Sequence, residues 1–219
     1  KNEIITNYHV VKNLDKVWVL LYEKTIKTNK SSLKDLPKEK FHIADVVAVD
    51  ADRDLALLKV DVKLKSKADF EDNWDIGIAE EVFAIGHPEG LWGFTKGFVS
   101  SLPDTYQWSY NDGMQHKADC IQHQTPINPG NSGGPLYNTD GKMIGVNTMQ
   151  RKDSEGLNFA VRINEVEDFV KNAKKGKYPK GKVPEYEFIK YNDDGFEVFG
   201  KDTNMDLVHD EWVILENKS

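Results

Sequence analysis

An all-β fold closed by one helix is what this sequence predicts, from three observations. Short apolar runs recur with turn residues between them. A single stretch carries a helical period, and one cysteine, Cys120, rules out an internal disulfide, so the fold must stand on its core. At 219 residues and 39% hydrophobic, the chain is long enough to bury one.

The runs at 17–21, 44–49, 55–60, 81–85, 96–100 and 143–148 are rich in Val, Ile, Leu and Phe and too short for helices, so they read as strands. Asn138-Thr139-Asp140-Gly141 separates 135–137 from 142–149 and contains an Asp-Gly pair, which predicts a β-hairpin. Residues 163–175 are the helix, because Val166, Phe169, Val170 and Ala173 fall on one face. Asn164 with Glu167 resembles a capping box, and Lys174, Lys175 and Gly176 supply a basic last turn and a stop. The lysines that follow belong to a solvated helix end running into a linker at 177–184. Beyond it, 187–189, 196–199 and 212–215 predict a small β extension over 185–219, too short for an independent domain of PDZ size. The polar insertion at 23–40 reads as a surface excursion.

The net charge of −7 disfavours a binder of phosphate backbones, so nucleic acid is not an expected partner. No apolar run reaches the ~18 residues needed to cross a bilayer, and membrane insertion is not expected. His116, Cys120 and His123 are close in sequence, yet on one continuous strand over 117–124 position 123 faces away from 116 and 120. No metal or other cofactor is expected.

Chemistry concentrates at Gly130-Asn131-Ser132-Gly133-Gly134-Pro135. Glycines around a serine free the backbone, so that successive amides converge on one oxygen; Gly130, Asn131 and Ser132 are the candidate oxyanion hole, with Gly130 and Ser132 its natural donors. With its flanks, from Ile121-Gln122-His123-Gln124-Thr125-Pro126-Ile127-Asn128-Pro129 to Gly141-Lys142-Met143-Ile144-Gly145-Val146-Asn147-Thr148, this loop resembles the nucleophile region of the HtrA/Deg proteases, a trypsin-like family. Further stretches match in the family's order. Ile5-Thr6-Asn7-Tyr8-His9-Val10-Val11 is similar to its histidine motif and Arg53-Asp54-Leu55-Ala56-Leu57-Leu58-Lys59-Val60 to its aspartate motif. Ile85-Gly86-His87-Pro88-Glu89-Gly90 is similar to its substrate-side loop, and 156–164 to its closing strand.

The resemblance covers residues 4 to about 175 and implies a chymotrypsin-like double six-stranded β-barrel. A protease domain would span 1–176, with an N-terminal barrel at about 1–70, a C-terminal barrel at about 78–162 and the helix behind them. It implies Ser132 as nucleophile, His9 as general base and Asp54 as the acid orienting the imidazole. Asp45, Asp50 and Asp52 compete for the acid role; Asp54 is preferred because it directly precedes a strand, and the others are expected to be solvated. The primary pocket would be walled by Ile127, Thr148, Met149, Gln150, Leu157 and Asn158. Pro126 stands where a trypsin-like pocket carries its acid, so a small or medium apolar side chain is the expected fit.

Two barrel strands precede the histidine in this fold, and only eight residues precede His9, so the first barrel is expected to be truncated. The implied activity is a serine endopeptidase acting on unfolded or extended polypeptides without cofactor, in a periplasmic or other extracytoplasmic bacterial compartment. A homo-oligomer is compatible with the resemblance, and the PDZ domain usual in the family is not expected among these residues. The alternative is a catalytically impaired peptide-binding or chaperone-like module that holds extended chains in the same cleft by strand addition.

Overall fold

The computed structural model describes residues 2–21, 38–71, 76–87, 93–110, 113–151, 156–182, 187–191, 196–201 and 211–216, the last three stretches as backbone. Most of the insertion at 23–40 and the end of the substrate-side loop, Pro88 to Gly90, lie outside them. The chain separates into two compact units, Lys1–Gly181 and Lys182–Ser219.

In the first unit, β1 (Glu3–Thr6), β2 (Lys16–Leu20), β3 (Phe41–Asp50) and β4 (Leu55–Val60) form an antiparallel sheet in the order β1-β4-β3-β2. In β4 every residue except Lys59 is buried, which is why its apolar run does not alternate. The chain continues through β5 (Glu81–Gly86), β6 (Gly93–Ser101), β7 (Tyr106–Ser109), β8 (Gln115–Ala118), β9 (Cys120–His123), β10 (Pro135–Asn138), β11 (Met143–Gln150) and β12 (Asn158–Arg162). Six of these close a barrel in the order β10-β11-β12-β9-β6-β5, and β7 pairs with β8 in a separate hairpin. Val82, Ala84, Val99, Ile121, Leu136 and Ile144 cluster as one core of this barrel. Strand β5 alternates as a wall with one buried face should. The predicted β10–β11 hairpin forms: Gly141 takes φ +72°, and Asn138 Oδ1 accepts the amides of Asp140 and Lys142.

Helix α1 (Ile163–Ala173) follows β12 directly, and Ile163, Val166 and Phe169 join Leu57, Val146 and Phe159 in a second core cluster. Truncating a fully buried phenylalanine such as Phe159 or Phe169 costs about 3–5 kcal/mol. Gly176, at φ +72°, ends the helical region as expected.

Several expectations need correction. The capping box does not form, because strand β12 runs straight into the helix: Arg162 is the N-cap, without a side-chain cap, and Asn164 lies inside the first turn. The continuous strand expected over 117–124 does not form: β8 ends at Ala118 and β9 begins at Cys120, the chain breaking at Asp119, whose backbone amide donates to Glu165. The beginning of the expected linker is bonded to the first sheet, Pro179 O accepting from Val49 N and Gly181 N donating to Val46 O. In the second unit, β13 (Glu187–Tyr191), β14 (Phe196–Lys201) and β15 (Glu211–Glu216) form the expected three-stranded antiparallel sheet. Among the described residues no helix is long and apolar enough to cross a membrane.

Candidate active site

After β1 the chain turns through Asn7, Tyr8 and His9. Opposite this turn, Asp54 closes the β3–β4 connection at φ +56°, a left-handed conformation that aspartate tolerates better than most residues. Two bonds to its carbonyl hold the turns together: Asn7 Nδ2 donates to Asp54 O at 3.0 Å and Tyr8 N at 3.1 Å. Two more join the functional groups, His9 N donating to Oδ1 at 2.8 Å and His9 Nδ1 meeting Oδ2 at 2.7 Å. Asp54 is fully buried, whereas the His9 side chain is 24% exposed. A carboxylate at Nδ1 fixes the proton there and leaves Nε2 as the basic nitrogen.

Among the competing acids, Asp45 is exposed and pairs loosely with Lys16. Asp50 is not solvated as expected: it is 7% exposed, and its carboxylate accepts Arg53 N at 3.1 Å. The neighbouring guanidinium explains the burial, because an acid facing a cation loses less on leaving water.

Ser132 lies on the loop joining β9 to β10. Asn131 N donates to Asn128 O at 3.0 Å and Gly130 has φ +104°, which with Pro129 makes a type II turn. The Asn131 amide is spent inside this turn, so Asn131 drops out of the expected donor set and Gly130 and Ser132 remain. His87 N donates to Gly130 O at 3.0 Å, bracing the loop from the end of β5. Asn147 of β11 grips the other side: its main chain exchanges bonds with Gly133 and Gly134, and its Nδ2 donates to Gly134 O and Pro135 O.

The Ser132 loop abuts the chain leading to His9. At Gly133, φ is +79° and a Cβ would lie 2.2 Å from Thr6 Oγ1, so only glycine permits this approach. Ser132 Oγ donates to Thr148 O at 3.4 Å, a long bond that a side-chain rotation releases. The structure therefore brings His9 and Asp54 into direct contact and carries Ser132 on a loop packed against their approach.

The expected pocket walls divide. Thr148 is buried, and its Oγ1 donates to Asp54 Oδ2 at 2.6 Å, which makes it a support of the carboxylate. Asn158 is buried and donates to Thr125 O at 2.7 Å, and Ile127 packs into the barrel core. Met149 and Leu157 are partly buried against the core cluster shared with the helix, and Gln150 is exposed. Tyr110 escaped the sequence reading entirely. It follows β7, its hydroxyl donates to Asp54 Oδ2 at 2.9 Å, and its ring lies 4.6 Å from that of His9. Nothing in Trp108-Ser109-Tyr110 signals this, since the contact exists only through tertiary packing.

The buried His116, Cys120 and His123 of β8 and β9 are structural. His116 stacks on Trp108 and its Nδ1 contacts Ala51 O at 2.6 Å. Burial pushes the Cys120 thiol up to about 12, leaving it inert, and brings His123 down to about 4. Among the described residues, no three His, Cys, Asp or Glu side chains converge on a common metal position.

Residues 1–146 match the family described as the trypsin-like peptidase domain. The chain belongs to this family, in its HtrA branch. It is 38% identical over 172 residues to the serine protease Do-like HtrA of Bacillus subtilis, covering 76% of this chain and 35% of that protein. It is 33% identical over 187 residues to a probable periplasmic serine endoprotease, DegP-like, of Rickettsia prowazekii, covering 82% of this chain and 33% of the relative. The chain thus spans about a third of the length of these curated relatives. Among solved structures, the HtrA-type protease AlgW with a tripeptide aligns with a TM-score of 0.62 at 27% identity, over 81% of this chain and 54% of the other. A serine endoprotease from Yersinia pestis aligns over 91% of this chain and 61% of the other with the same TM-score of 0.62, at 24% identity, a likeness of fold alone. This likeness to HtrA-type protease structures accords with the mostly stranded fold, its closed six-strand barrel and the helix that follows it.

Proposed function

We propose that this chain is a serine endopeptidase in which Ser132 attacks the peptide carbonyl, His9 takes and returns the proton, and Asp54 holds the imidazole. The observation that carries the reading is the 2.7 Å contact between His9 Nδ1 and the fully buried Asp54 carboxylate, beside a glycine loop bearing a serine. Rotation of the Ser132 hydroxyl off Thr148 O toward His9 Nε2 completes the relay. Attack forms the Ser132 Oγ–carbon bond and places negative charge on the former carbonyl oxygen, which the Gly130 and Ser132 amides receive. Protonated His9 then delivers its proton to the leaving amine, the C–N bond breaks, and water hydrolyses the acyl-enzyme by the same steps.

The protease domain takes in the four-stranded sheet within about 1–70, the closed barrel within about 78–162 and helix α1, and the chain from there to Gly181 belongs with it, ahead of the extension at 185–219. Its substrates are unfolded or extended polypeptides in an extracytoplasmic compartment, a reading supported by the names of the relatives and by the tripeptide of the AlgW structure. No acid stands at Pro126, so Val, Ala or Leu before the scissile bond is cleaved faster than Arg.

A fluorophosphonate probe and a casein-degradation assay, each run on the wild type and on Ser132→Ala, test the assignment. Labelling and proteolysis are expected in the wild type, and both are lost in the variant. Labelling that survives the substitution refutes Ser132 as nucleophile. Peptides differing only before the scissile bond test the pocket, and equal or faster cleavage after Arg refutes the apolar preference.

A further inference from the structure

Asp54 receives more donors than holding His9 requires. Its Oδ1 accepts the His9 amide, and its Oδ2 accepts from His9 Nδ1 at 2.7 Å, Thr148 Oγ1 at 2.6 Å and Tyr110 OH at 2.9 Å. Three donors thus share one carboxylate oxygen. Thr148 belongs to the closed barrel, but Tyr110 comes from the β7–β8 connection, an element that the proposed chemistry does not otherwise use. Its ring is held from two sides. His9 lies 4.6 Å away at a 47° tilt, and His116 meets it edge-on at 5.1 Å, itself stacked on Trp108.

We propose that Tyr110 is a positioning residue of the acyl-transfer site, setting the orientation of His9 and the share of the Asp54 charge that His9 feels. The inference rests on the assignment of His9, Asp54 and Ser132 given above.

A hydrogen bond to a carboxylate draws negative charge toward its donor. Each donor on Oδ2 therefore weakens the hold of that oxygen on the His9 imidazolium, while stiffening the carboxylate against rotation. The Tyr110 proton can reach only one acceptor at a time, and the charged oxygen at 2.9 Å is closer than Thr148 O at 3.3 Å or Thr148 Oγ1 at 3.2 Å. Burial, and after it the Asp54 charge, push the Tyr110 phenol up from its ordinary range, so the hydroxyl keeps its proton and stays a donor. The titratable groups around the carboxylate are few. His9 and Tyr110 touch it, His116 sits behind Tyr110, β11 contributes the uncharged Thr148, and the Arg53 guanidinium is turned to Glu165 and Asp168.

Tyr110→Phe removes the hydroxyl and keeps the ring. With one donor gone, Asp54 holds the protonated imidazole more tightly, so the acid limb of kcat/KM moves to higher pH, by about half a pH unit. The freed carboxylate positions His9 less well, and kcat falls about fivefold with KM unchanged. The experiment measures both profiles on full-length protein, normalised to sites titrated by fluorophosphonate, together with the far-downfield proton resonance of His9 Nδ1. That resonance is expected to move, independently of turnover. Placing 3-fluorotyrosine at position 110 keeps the bond with a stronger donor and is expected to shift the acid limb the opposite way, which preserves the test if the phenylalanine variant folds poorly. Superimposable pH profiles and an unmoved resonance in a Ser132-labelled protein overturn the role of Tyr110 alone. A wild type that takes no label at Ser132 overturns the triad and this inference together.

Discussion

In the closed barrel, Ser132 stands on a loop whose main chain is gripped from β11 by Asn147 and from the end of β5 by His87. In the four-stranded sheet, His9 stands on a turn secured to Asp54 by bonds from Asn7, Tyr8 and His9 itself. The difference is one of dependence. Barrel closure satisfies every strand edge, so the Ser132 loop draws its rigidity from a self-contained ring of ladders. The histidine turn, by contrast, depends on one residue whose backbone carbonyl and carboxylate both serve as acceptors. Precision is thus distributed over the barrel on one side and concentrated at Asp54 on the other.

The sharpest way to break that contrast is Asp54→Asn. It leaves the backbone carbonyl to Asn7 and Tyr8 but presents an amide to His9 Nδ1, which favours the wrong tautomer. In the worked serine-protease triad this change costs on the order of 10⁴-fold in kcat, and a loss of that order is expected here. Stopped assays with a chromogenic peptide, normalised to folded protein by circular dichroism, measure it, and a loss below about tenfold would falsify the concentration of control at Asp54.

The barrel offers a different lever, acidity. His123 is fully buried, neither ring nitrogen has a hydrogen-bond partner, and burial holds it neutral down to about pH 4, while the polar Asn147 beside it only partly opposes that shift. In the unfolded chain an imidazole takes up its proton near pH 6.5. Its contribution to stability is therefore fully present above about pH 6.5 and is lost as the pH falls toward 4, amounting to roughly 3 kcal/mol over that window. Urea midpoints measured between pH 7 and pH 4 should fall accordingly, and His123→Gln should flatten the slope. A midpoint in the wild type that does not change with pH would show that His123 is not held neutral by the barrel.

What could be read from the sequence follows the same division. Strands, hairpin and helix were legible because β5 alternates, β4 is continuously apolar and α1 carries one apolar face, all local patterns. Ser132, His9 and Asp54 could be nominated because local motifs carry them, and the proposed triad rests on those motifs and on the contact between His9 and Asp54. The partners were not. Asn7, Tyr110 and Thr148 reach Asp54 across 47, 56 and 94 positions of sequence, and no local pattern encodes such contacts. Asn131 was misread for the same kind of reason. A glycine-rich loop announces convergent amides, but which amide is spent inside the turn depends on the type II geometry at Pro129 and Gly130. Asn164 and Glu167 matched a capping pattern that became irrelevant once β12 fed the helix without a break.

Arg53 allows a gentler test, because it ties the two regions together without touching the imidazole. Its Nε lies 2.9 Å from Glu165 and its Nη1 3.0 Å from Asp168, both on α1, while Asp50 of β3 stands 3.7 Å away. The guanidinium thus links the turn preceding Asp54 to a helix that shares a core cluster with β11 and β12. At 25% exposure it is partly screened by solvent, so the network is worth about 1 kcal/mol. Arg53→Gln, which removes the charge and keeps much of the stem, should lower Tm by about 2–4 °C for a chain of this size. Salt should lower the Tm of the wild type more than that of the variant, because screening weakens an interaction that only the wild type has. Equal salt dependence would mean that the sheet and the helix are held together by packing alone. The ion network would then be incidental to the placement of Asp54, which would rest on the β3–β4 ladder and on the bonds to its own carbonyl.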